Sequence, residues 1–163
     1  MLKTITFLSA ILLILNGCTS KNFIKEKNQE SASIVLRTPT IQYAGMGFIY
    51  KSNSFVKVEV YSMGQPIMSL DINGMNVCMS TFECMEKKDF NSKMLSINYP
   101  DTFLENIFRG KPIFDGKNLQ RNSNGFIQEI IKDNLYDINY SVNSHESRFK
   151  DKINHILIKI IYS

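Results

Sequence analysis

The fold is decided by residues 56–80, whose sequence is VKVEVYSMGQPIMSLDINGMNVCMS. Valines alternate with charged residues at positions 56–60, and this period of two is typical of a strand that buries one face. A second alternation covers positions 68–72, and Asn73-Gly74 follows it. Asn-Gly favours a two-residue hairpin turn because both turn residues take positive φ. We therefore expect antiparallel strands whose common apolar face is formed by Met68, Leu70, Ile72, Met75, Val77 and Met79.

Helical spacing replaces this alternation after Cys84. Residues 101–109 carry apolar side chains at intervals of three and four, which predicts a helix with one buried face, and Gly110 suits its end. A looser helix is expected over 87–95. Further strands are expected over 126–131, 136–142 and 153–162. The sequence therefore predicts one mainly β domain of the α+β class, an antiparallel sheet with a short helical insert.

The composition fits one folded domain. The chain has 163 residues, of which 44% are hydrophobic and 21% charged, so it has enough apolar surface for a core. This composition excludes disordered, collagen-like and multi-pass membrane proteins. The net charge is +4, and the Lys and Arg residues are scattered singly, so we expect no nucleic-acid partner.

The N-terminal segment indicates the compartment. A basic start, residues 1–3, precedes an apolar run at 5–15 that is short for a membrane span and typical of a signal peptide. The run ends in Leu15-Asn16-Gly17-Cys18, which resembles the lipobox of bacterial lipoproteins. The resemblance implies removal of a signal peptide, residues 1–17, and acylation of Cys18. The alternative is an N-terminal membrane anchor in which the cysteine occurs by chance.

The residues after Cys18 refine this expectation. Thr19 stands where an Asp would favour retention in the inner membrane of a Gram-negative cell, so the lipoprotein resemblance implies the outer membrane. The following segment is polar and offers too little apolar surface to offset the backbone entropy of ordering. We therefore expect a lipidated cysteine and flexible tether over residues 18–33 and a single domain over residues 34–163.

Two cysteines remain once Cys18 is acylated. Cys78 and Cys84 would lie in an oxidising periplasm, where a pair across a short turn suits one disulfide. The alternative is a Cu(I) site that adds the nearby sulfurs of Met75, Met79 and Met85, because soft ligands select that ion. Methionines that fill an irregular core are commoner than methionine ligands, so we expect the disulfide and no metal.

Catalytic motifs are not found in the sequence. A Ser-His-Asp site needs a histidine, and His145 lies in a polar stretch expected to be a solvated loop. His155 is expected in the last strand as a packed or surface residue. The sequence has no Gly-rich phosphate loop and no HExxH motif. We therefore expect a protein that binds or transports and that is not an enzyme, with no cofactor.

The order of these elements resembles that of the LolB family of the LolA/LolB superfamily. Tyr61-Ser62-Met63-Gly64 is similar to the family's loop before an alternating strand, with Met63 in the place of an exposed leucine. Residues 103–107 and 109–114 resemble the family's helix and the Gly-x-Pro-Ile/Leu stretch that closes it. Residues 135–142 and 155–162 resemble two strands that follow. The resemblance covers residues 55–162.

The resemblance implies both a fold and a function. The fold would be a curved antiparallel sheet, an open half-barrel, with the helical insert packed on its concave face. The protein would be lipid-anchored in the outer membrane, facing the periplasm, and monomeric. It would bind acyl chains of lipids or lipoproteins and help to insert or transfer them. Its partners would be membrane lipids, lipidated proteins and a LolA-type periplasmic carrier.

The resemblance also assigns two groups of residues. Met63, Gly64 and Pro66 would form a loop that contacts the membrane or acyl chains, with Met63 either exposed or tucked against the core. A packed core in place of a cavity is the alternative, and it would indicate a non-catalytic structural or accessory envelope lipoprotein with a protein partner. The residues expected to line the acyl cavity are Val58, Val60, Met68, Leu70, Val77, Phe103, Leu104, Ile107, Phe108, Ile138, Tyr140 and Ile158.

Overall fold

A computed structural model of the chain describes residues 28–80 and 82–163. The signal peptide, Cys18 and the first part of the tether lie outside these residues and stay predictions. The described residues contain two α-helices, α1 (Lys87–Met94) and α2 (Phe103–Arg109). The strands are β1 (Asn28–Arg37), β2 (Gln42–Lys51), β3 (Phe55–Ser62), β4 (Gln65–Asn73), β5 (Asn76–Met79), β6 (Phe82–Glu86), β7 (Leu119–Asn122), β8 (Gly125–Lys132), β9 (Tyr136–Asn143), β10 (Glu146–Asp151) and β11 (Ile156–Tyr162).

All strands of the described part of the chain belong to one 11-stranded antiparallel sheet. Its order is β6-β5-β4-β3-β2-β1-β11-β10-β9-β8-β7, so two meanders are joined where β1 pairs with β11. The sheet is not closed into a barrel, because β6 and β7 form its two edges. The two helices lie in the connection between these edge strands. A mainly β fold with a short helical insert is therefore confirmed.

One face of the sheet is apolar, and we call it the inner face. Val58 lies opposite Leu70 and Val60 opposite Met68, and each of these side chains is at most 1% exposed. Burial of an aliphatic side chain of this size contributes about 1.5–3 kcal/mol, so the alternating pattern is the main source of stability in these strands. The predicted faces of β3 and β4 are therefore confirmed.

The helical insert packs on the inner face. Phe103 of α2 meets Phe149 of β10 at 4.9 Å between ring centroids, in an edge-to-face arrangement. Tyr99, which lies between the helices, stacks on Phe103 at 4.3 Å. Gly110 ends α2 with φ 64°, a left-handed conformation that favours glycine, and its amide donates to the carbonyls of Asn106 and Ile107. The predicted helices over 87–95 and 101–109 are confirmed, with small shifts at their ends.

The hairpin at Asn73-Gly74 exists, but its turn differs from the prediction. Neither residue has positive φ, and the loop is longer because Ile72 pairs with Val77. The side chain of Asn73 holds this loop by accepting a hydrogen bond from the amide of Asn76 at 3.2 Å. Met75 therefore lies in the loop and is 75% exposed, so its predicted place on the inner face is wrong.

The last strands also differ from the prediction. The strand expected over 153–162 begins at Ile156, and His155 lies before it in an exposed turn with φ 54°. β10 has no counterpart among the predicted strands, because Ser147 and Asp151 interrupt the apolar alternation although both are buried. The polar stretch 141–148 was expected to be a solvated loop, but only Ser144 and the exposed His145 lie between β9 and β10.

β1 begins inside the segment expected to be a tether. Asn28–Arg37 pairs with β2 on one side and, from Ala32 onward, with β11 on the other. Ala32 is fully buried, although its neighbours Ser31 and Ser33 are polar. A strand with two hydrogen-bonded neighbours does not need many large side chains of its own. The boundary between tether and domain at residue 33 is therefore wrong, and the sheet already includes residues 28–33.

Candidate functional site

The turn between β3 and β4 carries a fully exposed methionine. Met63 is 100% exposed, so the alternative in which it is tucked against the core is wrong. Met63 and Gly64 have φ values of 50° and 77°, and they form a two-residue turn between Ser62 and Gln65. Pro66, the third residue of the predicted loop, lies just inside β4 and is exposed.

Methionine is an unfavourable residue for the left-handed backbone conformation that Met63 adopts. A residue with a Cβ atom in the left-handed region costs about 1–2 kcal/mol relative to glycine, and Asn or Asp tolerates this position better than Met. Nothing lies within 4 Å of where a side chain would begin on Gly64, so the turn projects into open space. A strained, exposed and apolar residue without structural benefit is a candidate for function.

Other apolar side chains on the outer face of the sheet lie next to this turn. Met46 lies directly opposite Tyr61 and is 57% exposed. The Tyr61 ring packs edge-to-face on Phe48 at 6.0 Å, and its hydroxyl donates to Glu59 at 3.0 Å. We call these residues, Met63, Met46, Phe48 and Tyr61, the tip surface. It combines apolar side chains with the half-polar tyrosine that is typical of membrane interfaces.

Charged groups border the tip surface. The pKa of Glu59 is lowered, chiefly by the hydrogen bond with Lys57 and further by Tyr61, while partial burial opposes the shift. The ion pair with Lys57 spans 2.8 Å. Glu59 therefore stays ionised and paired near neutral pH. A fixed ion pair therefore lies beside the tip surface, with Glu59 directly opposite Phe48.

The twelve residues predicted to line an acyl cavity do come together. All of them belong to the buried core, with an exposed fraction of at most 2% each. They pack between the inner face and the helical insert, and Tyr140 contacts Phe126 at 5.5 Å between centroids. Ile138 also borders a small outer cleft of about 120 Å³. In the described conformation this group is a packed core.

A buried carboxylate holds the insert at one end of this core, beside an outer cleft of about 440 Å³. Asp151 is 1% exposed and accepts a hydrogen bond of 2.5 Å from the Tyr99 hydroxyl of the insert. Its oxygens also accept the amides of Asp137, Ile153 and Asn154 and the side-chain amide of Asn154. We call this group, Tyr99, Asp151 and Asn154, the closed end. A carboxylate with this many donors is fully compensated for its burial.

Two further contacts attach the insert to the sheet. Gln128 of β8 is fully buried, and its amide group bonds both the amide and the carbonyl of Ile113 at 2.8 and 3.0 Å. Arg109 of α2 donates to the carbonyl of Phe55 at 3.2 Å and to Glu105 at 2.9 Å. The insert is therefore held to the sheet by β3, β8 and β10.

The opposite end of the core is bordered by a surface cleft of about 500 Å³. We call it the terminal cleft, because the first residues of β1 and the end of β11 border it. Lys51 forms an ion pair of 2.6 Å with Glu30 at its rim, and the ammonium lies over the Tyr162 ring at 5.5 Å. Residues that line the cleft include Glu30, Lys51, Arg109, Gly110, Val142 and Tyr162.

Two buried hydroxyls near this cleft were not expected from the sequence. Among the described residues, Tyr140 Oη and Ser147 Oγ have no partner with hydrogen-bond geometry. Burial raises the pKa of Tyr140 well above its ordinary value, and the neighbouring Ser147 hydroxyl only partly offsets this. A buried hydroxyl without a partner costs about 1–3 kcal/mol. No sequence signal marks Ser147, since a polar residue in a short strand is normally placed on the outer face.

The predicted disulfide is confirmed. Cys78 and Cys84 are bonded across the turn between β5 and β6. Their thiolates are therefore not available for the Cu(I) alternative. Within residues 28–80 and 82–163, no group of three or more His, Cys, Asp and Glu side chains is placed to hold a metal ion. In the same residues, no helix has the length and apolar character needed to span a bilayer.

Comparison with known proteins adds no relative. No family model matches this chain, and no curated protein matches its sequence. The LolB resemblance therefore depends on the sequence motifs in residues 55–162.

Proposed function

We propose that this chain is an outer-membrane lipoprotein of the LolB type, which binds acyl chains of lipids or lipoproteins and helps to insert them into the membrane. The observation that carries this proposal is the fully exposed Met63 at a strained turn beside Met46 and Tyr61. Full burial of a methionine side chain contributes about 1.5–3 kcal/mol. One such contact is too weak to attach the protein stably to a membrane. It suits a transient contact with the membrane during transfer of the acyl chains.

The anchor and the tip can reach one membrane surface. Asn28 lies opposite Lys51, which lies opposite Val56, so Met63 is about 25 Å from the start of β1 along and across the strands. The chain between Cys18 and Asn28 spans at most about 33–36 Å when extended. An acylated Cys18 would therefore hold the protein on the bilayer while Met63 contacts the same leaflet.

A curved sheet would complete the LolB-like architecture, and β2 has glycines that permit it. A Cβ atom on Gly45 would collide with the carbonyl of Tyr61, and one on Gly47 with the carbonyl of Glu59. Backbones that approach this closely allow the strong bending on which an open half-barrel depends. In this proposal the insert covers the concave face and moves away to admit an acyl chain.

A second candidate function is favoured by the packed core. If the insert stays on the sheet, the protein is a non-catalytic accessory lipoprotein of the envelope, and the tip surface binds a protein partner. The contacts of Tyr99, Arg109 and Gln128 support this candidate, because each must break before an acyl chain can enter. Acyl transfer distinguishes the two candidates.

The test compares Met63→Glu with the matched variant Met75→Glu in the full-length lipoprotein. Both methionines are exposed loop residues, at opposite ends of β4. The assay measures transfer of a fluorescent diacylated peptide into phosphatidylethanolamine–phosphatidylglycerol vesicles. Met63→Glu should reduce transfer at least about tenfold, since the charge must be desolvated on contact, and Met75→Glu should not. Both variants should keep the melting temperature of the parent protein.

Equal transfer by the two variants would contradict the role of the tip. No transfer by the parent protein, together with intact folding, would favour the accessory-lipoprotein candidate. The anchor needs its own control: Cys18→Ala should abolish incorporation of labelled palmitate and release the protein from the membrane fraction. Palmitate that is still incorporated by Cys18→Ala would disprove the lipoprotein interpretation.

A further inference from the structure

The terminal cleft continues the inner face of the sheet to solvent. Lys51 lies directly opposite Val56, and Tyr162 lies opposite Ala32, so both cleft residues belong to the same face as fully buried core residues. Val142 lines the cleft from β9. A ligand that enters here therefore meets charged groups first and the apolar core behind them.

The two hydroxyls without partners lie at this transition. Ser147 is directly opposite Val142 in the ladder of β9 and β10, and it is opposite Ile160 of β11 on its other side. Tyr140 is two residues from Val142 on the same face of β9. Both side chains are at most 1% exposed. The hydroxyls thus belong to side chains next to Val142, which lines the cleft, and they do not line the cleft themselves.

Gly110 brings the end of the insert against Val142 and Tyr162. A Cβ atom on Gly110 would lie 3.5 Å from Val142 Cγ1 and 3.9 Å from Tyr162 Oη. The end of α2 therefore meets the cleft with the side chain of Arg109 and the backbone of Gly110. From the rim of the cleft towards the core, the charged side chains come first, then the two hydroxyls and then the apolar side chains.

We propose that the terminal cleft binds one ester-linked acyl lipid, with the Tyr140 and Ser147 hydroxyls donating hydrogen bonds to its ester carbonyl oxygens. This inference rests on the proposed acyl-binding function and adds the entry end, the orientation and the linkage that is recognised. The acyl chain extends from the hydroxyls into the core beneath α2, and the glycerol headgroup stays at the rim.

The rim suits a headgroup that carries phosphate. Lys51 is paired with Glu30, and Arg109 is paired with Glu105, so each cation already has a carboxylate partner. Lys111 and Lys51 border an adjoining cleft of about 170 Å³. A phosphate there would be attracted by three cations, and the fixed carboxylates limit the strength of binding, as release to the membrane requires.

The experiment compares two lipids that differ only in linkage. Full-length protein in a bile-salt detergent is titrated with fluorescent phosphatidylglycerol in its diester form and in its diether form, which has no carbonyl oxygens. The parent protein should bind the diester about tenfold more tightly, because two hydrogen bonds are lost with the ether. The double variant Tyr140→Phe, Ser147→Ala should bind both lipids alike, with the affinity that the parent has for the diether.

Tyr136→Phe is the matched control. It removes a hydroxyl from the same strand at the other end of the core, where the ring contacts Phe114, and it should keep the preference for the diester. If the double variant does not fold, Ser147→Ala alone should lose about half of the preference on a logarithmic scale.

Equal affinity of the parent protein for diester and diether would overturn the inference and leave acyl binding intact. A preference that persists in the double variant would also overturn it. Failure of the folded parent protein to bind either lipid would overturn the proposed function together with the inference.

Discussion

In the described part of the chain, buried polar groups are hydrogen-bonded at one end of the core and lack partners at the other. At the closed end, Asp151 has five donors, which come from the insert, from β9 and from the turn before β11. At the terminal cleft, Tyr140 and Ser147 have no partner within the described residues. Both groups lie on the same pair of strands, β9 and β10, so the difference does not arise from the architecture. The polar groups of the core are therefore hydrogen-bonded at one end, and the proposed lipid would supply the partners that the described residues lack at the other.

The closed end should dominate stability. Asp151→Ala leaves the Tyr99 hydroxyl and several backbone amides without an acceptor, and we expect the free energy of unfolding to fall by about 3–5 kcal/mol. Urea denaturation followed by circular dichroism measures this loss. Asp137→Ala, which removes an exposed ion pair with Lys152, is the control and should change stability by less than about 1 kcal/mol. Equal effects would show that the closed end does not hold the insert.

Removal of one hydroxyl from each end should have opposite results. Tyr99→Phe deletes a hydrogen bond to a carboxylate and should lower the free energy of unfolding by about 1.5–3 kcal/mol. Tyr140→Phe removes a hydroxyl that has no partner, so stability should stay constant or rise by up to about 1 kcal/mol. Parallel thermal and urea unfolding of the two variants provides the measurement. A destabilised Tyr140→Phe would mean that its hydroxyl is satisfied.

The rim of the terminal cleft should add a small dependence on pH. Although burial raises the pKa of Glu105, hydrogen bonds from Lys87 and Arg109 lower it more, so the folded value lies below the ordinary 4.5. The stabilisation by Glu105 is therefore present above pH 4.5 and is lost as the pH falls through the lower folded value. We expect less than about 1 kcal/mol, because the group is partly exposed.

Glu105→Gln reveals this dependence. The difference in the free energy of unfolding between the parent protein and Glu105→Gln should be constant at neutral pH and should shrink below pH 4.5. A difference that is independent of pH down to the acid transition would contradict the lowered pKa.

The smallest effect concerns the two exposed methionines. Met63→Gly relieves a left-handed conformation, and after the entropy of the unfolded chain is subtracted, stability should rise by about 0.5 kcal/mol. Met75→Gly relieves nothing, because Met75 has ordinary φ, and stability should fall by about 0.5–1 kcal/mol. The sign of each change is read from chemical denaturation. A stabilised Met75→Gly would remove the contrast on which the functional interpretation of Met63 depends.

The alternation of apolar and polar residues predicted the regular strands. It did not predict the conformations of the turns between them. Val58 and Leu70 lie where the period of two places them, because each strand there has one buried face. Asn73-Gly74 marked a hairpin correctly, yet the left-handed two-residue turn is formed by Met63 and Gly64. A propensity argument does not place methionine there. Local preference was therefore overridden at the very residue that the proposed function requires.

The candidate site was only partly predictable for a related reason. The apolar residues of the core were found, because burial follows hydrophobicity. Ser147 and Asp151 were missed, because a polar residue on an inner face looks like an interruption of the strand. The Tyr99 hydroxyl, which donates to Asp151, lies 52 residues away along the chain and meets it only in the folded protein. Long-range pairing of polar groups leaves no periodic signal in the sequence.

Lipid that copurifies with the full-length protein tests the central claim most directly. The protein is extracted from membranes in a bile-salt detergent and examined by native mass spectrometry. We predict one ester-linked diacyl lipid per chain, in addition to the acyl groups on Cys18, and the same complex in Met63→Glu, which alters only the tip. The double variant Tyr140→Phe, Ser147→Ala should lose that lipid. A folded parent protein that carries no lipid beyond its own anchor would contradict the account.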